Sequence, residues 1–353
     1  METNNLKIEQ AILATLAYHD ILNMPLTATE IWRYLFREQP IRDRPCIQGR
    51  SLIGASLTET ENILKNLYKF NEIEFHSGYY YFLERQDLVE KRLKMHALAQ
   101  IKWKRLRRIV WFLQAIPFLE MVAASGSLAR EFTHKDSDLD VLLVTKAGRI
   151  WTVRFIVTVI LDLFHLRRRP TGPTRDLVCL NHYLAQDGLA LPYQSLYTAL
   201  EYAHIVPLIG DKVCAEFREA NREWIEKYLV RLLPDEIDNL KQVRKSFFLS
   251  GIKKIVELLL CGMVGDALEE WLGKRQKERI VKNEENATAG GRIVASPLHL
   301  EFHPHSKEAP LLKKFNEKMA EMGLDAFGGQ KDSGLTKNAN GYMIPTSSDA
   351  DPP

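Results

Sequence analysis

The stretch Ala124-Ser125-Gly126-Ser127-Leu128-Ala129-Arg130, followed by Ser137-Asp138-Leu139-Asp140-Val141-Leu142-Leu143-Val144, decides how this chain is read. The apolar run 116–124 suits a buried strand, and Gly126-Ser127 turns it sharply into a short helical stretch that starts near Leu128. Such a turn leaves backbone N–H groups unpaired at the helix start, where they favour a phosphate. Glycine lets the phosphate come close to the main chain, and the Ser127 hydroxyl adds a donor. Beyond the loop 131–137, strand alternation sends Asp138 and Asp140 to one face of a Val/Leu-rich strand, roughly 7 Å apart along the chain. Carboxylates so placed raise each other's pKa unless a cation lies between them. Mg²⁺ favours such oxygen ligands and keeps substrate phosphates in its remaining positions. The chemistry this implies is phosphoryl or nucleotidyl transfer.

These residues resemble the signature of the DNA polymerase β-like nucleotidyltransferase superfamily: a hydrophobic strand, Gly-Ser, a spacer, then Asp-x-Asp in an apolar strand. Here the match is Gly126-Ser127, the spacer 128–137, and Asp138-Leu139-Asp140. The wording is most similar to the minimal and the antibiotic nucleotidyltransferases. The resemblance implies that Gly126 and Ser127 hold the triphosphate of an NTP, while Asp138 and Asp140 bind two Mg²⁺ ions. Those relatives often carry a second glycine five positions after the first, and Glu131 stands there in this chain. They also use a third carboxylate on a neighbouring strand. Arg175-Asp176-Leu177-Val178-Cys179-Leu180 makes Asp176 the candidate for that metal ligand and for the base that takes the proton from the attacking hydroxyl, with Asn181 and Asp187 as alternatives nearby.

The chain has 353 residues, 46% of them hydrophobic, enough for two or three domains. A net charge of +3 leans only slightly toward polyanionic partners, so local clustering has to carry any nucleic-acid argument. Cys46, Cys179, Cys214 and Cys261 are scattered, without paired metal spacing, which points to a reducing cytoplasm. The N-terminus has no secretory pattern. The apolar stretches 150–166 and 255–272 are interrupted by Arg154, Asp162, Glu257, Asp266, Glu269 and Glu270, so they read as buried helices and no membrane partner is expected.

The fold class expected is α+β. An N-terminal winged-helix-like domain (1–88) leads through a basic linker helix (89–115) to a polymerase β-like mixed sheet with helices (116–190), then a helical domain (191–282), a C-terminal extension (283–327) and a disordered tail (328–353). In the first unit, periodicity places a helix over 7–18, and Thr27 to Glu30 forms a capping-box pattern. A third helix begins near Thr58, and Ile73-Glu74-Phe75 and Tyr79-Tyr80-Tyr81 flank a glycine turn. Three helices followed by a hairpin resemble a winged helix-turn-helix, which binds DNA or docks protein. The linker carries Lys91, Arg92, Lys94, Lys102, Lys104, Arg105, Arg107 and Arg108, either as a solvated connector or as a guide for a polyanion. His299, His303 and His305 repeat no known zinc pattern and read as structural or exposed.

The leading function is therefore a Mg²⁺-dependent transfer of NMP from an NTP to a hydroxyl on a protein, an RNA or a small molecule. The rival is a DNA-binding regulator, or an antitoxin-like protein with a toxin partner, in which the nucleotidyltransferase fold binds nucleotide without turnover.

Overall fold

A computed structural model describes residues 2–37, 55–169, 171–231, 241–282 and 291–324, together with two short strands at 335–337 and 343–345. The N-terminal unit comprises α1 (Glu2–Ile21), β1 (Leu26–Thr27), α2 (Ala28–Arg33), α3 (Leu57–Lys69), β2 (Glu74–His76) and β3 (Tyr79–Tyr81), with the strands in the order β1-β3-β2. The capping box read from Thr27 and Glu30 is present at α2: Thr27 N–H donates to Glu30 Oε2 at 2.9 Å. At α3 a second box, Ser56 with Glu59, starts the helix one residue before the position expected. Each box satisfies two N–H groups that the helix itself cannot.

The basic linker is α4 (Asp87–Leu113). Beyond it come β4 (Leu119–Ala124), α5 (Gly126–Ala129), β5 (Leu139–Thr145), α6 (Ile150–Leu163), β6 (Val178–Ala185), α7 (Leu196–Ala203), β7 (Val206–Ile209), α8 (Asp211–Ile225), α9 (Phe247–Leu259), α10 (Met263–Lys282), β8 (Arg292–Ala295), β9 (His299–His303) and α11 (Glu308–Glu321). A six-stranded mixed sheet in the order β7-β4-β5-β6-β9-β8 organises these elements. Among the strands of this sheet β5 and β6 are the parallel pair, and α6 supplies the crossover that such a pair requires.

The sheet crosses the domain divisions expected at 190 and 282. It takes β7 from the segment read as helical and β8 and β9 from the C-terminal extension. Hydrophobic layers cover both faces. Val141 and Leu143 of β5 pack into one layer with Leu106, Val110 and Val153 of α4 and α6. Leu142 and Val144 face the other, with α7, α8 and the N-terminal unit. The C-terminal α11 closes the second layer, where Phe315 meets the rings of Tyr18 and Phe36 edge-on at 5.4 and 5.9 Å. By alternation, Asp140 points to the side of Leu142, toward α7 and the N-terminal unit.

Two expectations need correction. The stretch 255–272 is no buried helix: Gly262, at φ +67°, separates α9 from α10, and Ile255, Leu258, Leu259, Met263 and Val264 are all exposed. No helix among the described residues is long and apolar enough to cross a membrane. Within the tail read as disordered, the strands β10 (Leu335–Lys337) and β11 (Met343–Pro345) pair antiparallel, and the rest of 328–353 lies outside the described residues, as does Cys46.

The cations of α4 divide by direction. Arg92 and Lys102, both buried, reach the two ends of the loop that joins α5 to β5. Arg92 donates to the Glu131 carbonyl at 3.1 Å and pairs with Glu30 at 2.6 Å, while Lys102 donates to the Ser137 carbonyl at 2.6 Å. Lys104, Arg105 and Arg108 remain exposed. The connector is thus a clamp on the inside and a basic surface on the outside.

Candidate active site

Strand β4 ends at Ala124, and Ser125 N–H donates to the Asp140 carbonyl at 3.1 Å, which brings the Gly-Ser turn beside the acidic strand. Gly126 adopts φ +62°, and a Cβ added there would fall 2.7 Å from Asp140 Oδ2. Glycine is required on both counts, conformation and space. Gly126→Ala is expected to cost about 1–3 kcal/mol of stability and to displace the Asp140 carboxylate; thermal melting together with a transfer assay would check both effects.

Glu131 sits where relatives often carry glycine, and its φ is +51°. The position therefore does require the left-handed conformation, here imposed on a residue with a side chain. Three contacts hold it: Lys241 pairs with its carboxylate, His96 Nδ1 lies 2.8 Å away, and Gln100 donates at 3.3 Å.

Across the parallel ladder, Asp140 pairs with Cys179 and Leu142 with His182, so a bulge at 180–181 lets β6 present both Cys179 and Asn181 to the acids. One potential ligand atom from each of Asp138, Asp140 and Cys179 lies within 4.8 Å of the others. Asn181 Nδ2 donates to Asp140 Oδ1 at 3.2 Å, and Arg168 Nη1 sits 2.9 Å from Asp138 Oδ2 and donates to Cys179 Sγ at 3.4 Å. Burial, then the charges of Asp138 and Glu201, push the Asp140 carboxyl up to about 7. Burial and the two carboxylates push the Cys179 thiol up as well, so it is neutral.

The sequence expectation for the third acid is not met in this geometry. Asp176 does not join the group; it occupies a left-handed turn at φ +58°, before β6 begins, and its carboxylate lies 2.8 Å from Lys102 Nζ, with Arg105 and Arg175 each at 3.8 Å. Asp187 is exposed past the opposite end of β6. The place beside Asp140 belongs to Cys179 and Asn181. Glu201, whose charge bears on Asp140 from α7, escaped sequence reading because nothing local marks a helix residue that meets a strand across the layer. The three histidines join no metal-ligand group among the described residues; His299 Nε2 lies 2.5 Å from the Gly188 carbonyl and His303 pairs with Glu301 at 3.4 Å.

A cleft of about 510 Å³ opens beside α5, between α2, α4 and the start of β7. Arg33, Arg92, Arg130 and Lys241 line it with Glu30 and Glu131, which pair with Arg92 and Lys241, so it is a polar space whose cations outnumber its acids; burial keeps the His204 imidazole at its edge neutral.

Residues 104–259 match the family described as Nucleotidyltransferase domain. No curated protein and no solved structure matches the chain. The nucleotidyltransferase match runs from α4 into α9 and contains the turn, both acids and Cys179. The N-terminal unit and the segment from α10 onward lie outside it.

Proposed function

We propose that this chain transfers a nucleoside monophosphate from an NTP to a hydroxyl on a protein, an RNA or a small molecule, and releases pyrophosphate. The observation that carries this reading is the contact between Gly126 and Asp140: the turn that would hold the phosphates abuts the acid that would hold a metal. The donor set fits a hard divalent cation through Asp138 and Asp140. The neutral thiol of Cys179 is a poor partner for Mg²⁺, which leaves the two carboxylates as its protein ligands. When bound, such a cation polarises the α-phosphate and lowers the pKa of the attacking hydroxyl.

The amides of Gly126 and Ser127, with the Ser127 hydroxyl, would position the outgoing phosphates. The polar cleft beside α5, where Arg33 and Arg130 stand beside the Arg92–Glu30 and Lys241–Glu131 pairs, would receive the remainder of the nucleotide or the acceptor. Asp138 is neutralised by Arg168, a partly exposed side chain able to withdraw from it. The test is incubation of the full chain with each labelled NTP, Mg²⁺ and a cell extract. Transfer of label to a macromolecule or small acceptor, lost in an Asp138→Asn/Asp140→Asn double variant, is the expected result. NTP binding without pyrophosphate release would refute the transferase.

One observation favours a second reading. The neighbours of Asp140 on β6 are a thiol and an amide, with no third carboxylate. A nucleotide-sensing regulator or antitoxin-like protein would need only binding, and the N-terminal unit, with its three helices and hairpin, would then contact DNA or a protein partner. Salt-dependent binding of the full chain to duplex DNA, without turnover of NTP, would support it.

A further inference from the structure

Helix α9 is seated with its polar side inward. Glu257 Oε1 accepts from Phe118 N–H at 2.7 Å, Lys253 Nζ donates to the Leu119 carbonyl at 2.6 Å, and Gln114 Oε1 accepts from Ser246 N–H at 3.1 Å. These bonds fix the helix against the end of α4 and the start of β4. The opposite stripe, Phe248, Ile252, Ile255 and Leu259, follows helical spacing and faces solvent. Phe247 is 90% exposed and Phe248 77%, and Met263 and Val264 carry the apolar surface onto α10. Isolated exposed hydrophobic residues need no explanation; a continuous stripe on a helix anchored by its polar face does.

Along α9 the rim of this stripe is positive: from Arg244 to Leu259 the exposed charged residues are Arg244, Lys245 and Lys254, and the one acid in that span, Glu257, is turned inward. On α10 the acids begin, with exposed Asp266 paired to Arg149 at 2.6 Å and Glu270 exposed. The end of α4, bonded to this segment through Gln114 and the Arg244 carbonyl, carries exposed Arg108, Trp111 and Phe112. Cations that border aromatic and aliphatic side chains on one helical face suit a bilayer interface, where the apolar groups enter the acyl boundary and the cations meet anionic headgroups.

We propose that the α9 face docks this protein onto an anionic phospholipid bilayer surface, lying in the interface rather than spanning it. Charge favours this occupant over a second copy of the chain. A two-fold pairing through the stripe would set one cationic rim against another, whereas anionic headgroups complement it.

The test is cosedimentation of the full chain with sucrose-loaded vesicles of phosphatidylcholine, with and without phosphatidylglycerol. We expect binding to the phosphatidylglycerol vesicles that weakens as salt is raised and is much weaker on phosphatidylcholine alone. The Phe247→Ser/Phe248→Ser variant removes no core contact, since both rings are exposed, and should bind about ten-fold less or weaker with unchanged thermal unfolding. A Lys245→Glu/Lys254→Glu variant should lose the preference for anionic lipid. Absence of binding to anionic vesicles, or binding untouched by the double Phe substitution, would overturn the proposal. So would a stable dimer that the Phe variant dissociates in the absence of lipid binding, in favour of a second copy on this face.

Discussion

Asp138→Asn and Asp140→Asn are each expected to lower NMP transfer by about 10³-fold or more without loss of fold, the several kcal/mol that a metal-holding carboxylate contributes to a phosphoryl-transfer transition state. What separates this from ordinary damage is the direction of the stability change. In the folded chain the Asp140 carboxyl lies near 7, above its ordinary value of 3.8, through burial and then the charges of Asp138 and Glu201. A folded-state pKa above the unfolded one means that the native state holds the proton more tightly. The group's contribution is therefore most favourable at low pH and is lost as pH rises from about 4 to about 7. Asp140→Asn removes that slope, so the metal-free variant should melt at or above the parent temperature at neutral pH while its activity is gone. Thermal melts at several pH values, with and without added divalent cation, give the check. Added cation should raise the melting temperature of the parent more at high pH than at low pH, and should have little effect on the variant. A variant that melts well below the parent, or one that keeps full turnover, would remove Asp140 from the proposed role.

Much of the centre of this fold is legible in the sequence because its signals are local. Gly126 and Asp140 announce the turn and the acidic strand through spacing alone, and the contact between them follows from the antiparallel register that sets Ala124 against Val141. The positive φ of Glu131 shows why a glycine is common at that offset, although a side chain fills it here. Other features depend on partners distant in the chain. β7 is only four residues long and contains Pro207; it is tolerated because it lies at the edge of the sheet, where a missing N–H costs little. The register that sets Cys179 beside Asp140, and the bulge that brings in Asn181, come from parallel pairing across a crossover of more than thirty residues, which no local pattern encodes. The inverted seating of α9 is invisible for the same reason. Its amphipathic period gives the two faces, but only the backbone groups of Phe118 and Leu119 determine that the polar one turns inward.

Asp176 offers the sharpest contrast between a local reading and a long-range role, and the second large effect is expected there. In sequence it sits at the head of an apolar strand, as a third catalytic acid would. In the structure its carboxylate closes a buried ion pair with Lys102, 2.8 Å away and 74 positions distant in the chain. Lys102 is 3% exposed and spends its other bonds on the carbonyls of Lys135 and Ser137, the residues that lead into Asp138. Removing one partner leaves the other charge buried, at a cost of about 3–5 kcal/mol in comparable cases. Asp176→Asn leaves the buried Lys102 ammonium with carbonyl partners alone and should approach that cost; Lys102→Met should cost less on the charge side, because Asp176 is partly exposed and keeps Arg105 and Arg175 3.8 Å away, although it strands the Lys135 and Ser137 carbonyls. Both variants should also lower transfer by loosening the loop that delivers Asp138. The two roles for Asp176 then separate cleanly. A base that takes the acceptor's proton predicts an unchanged melting temperature, a collapse of turnover and a lost limb in the pH–rate profile. A positioning residue predicts a lower melting temperature and a smaller loss of turnover with the profile's shape retained. The ion pair and the turn that holds it predict the second outcome, and a thermally intact Asp176→Asn variant without turnover would return this residue to the catalytic set.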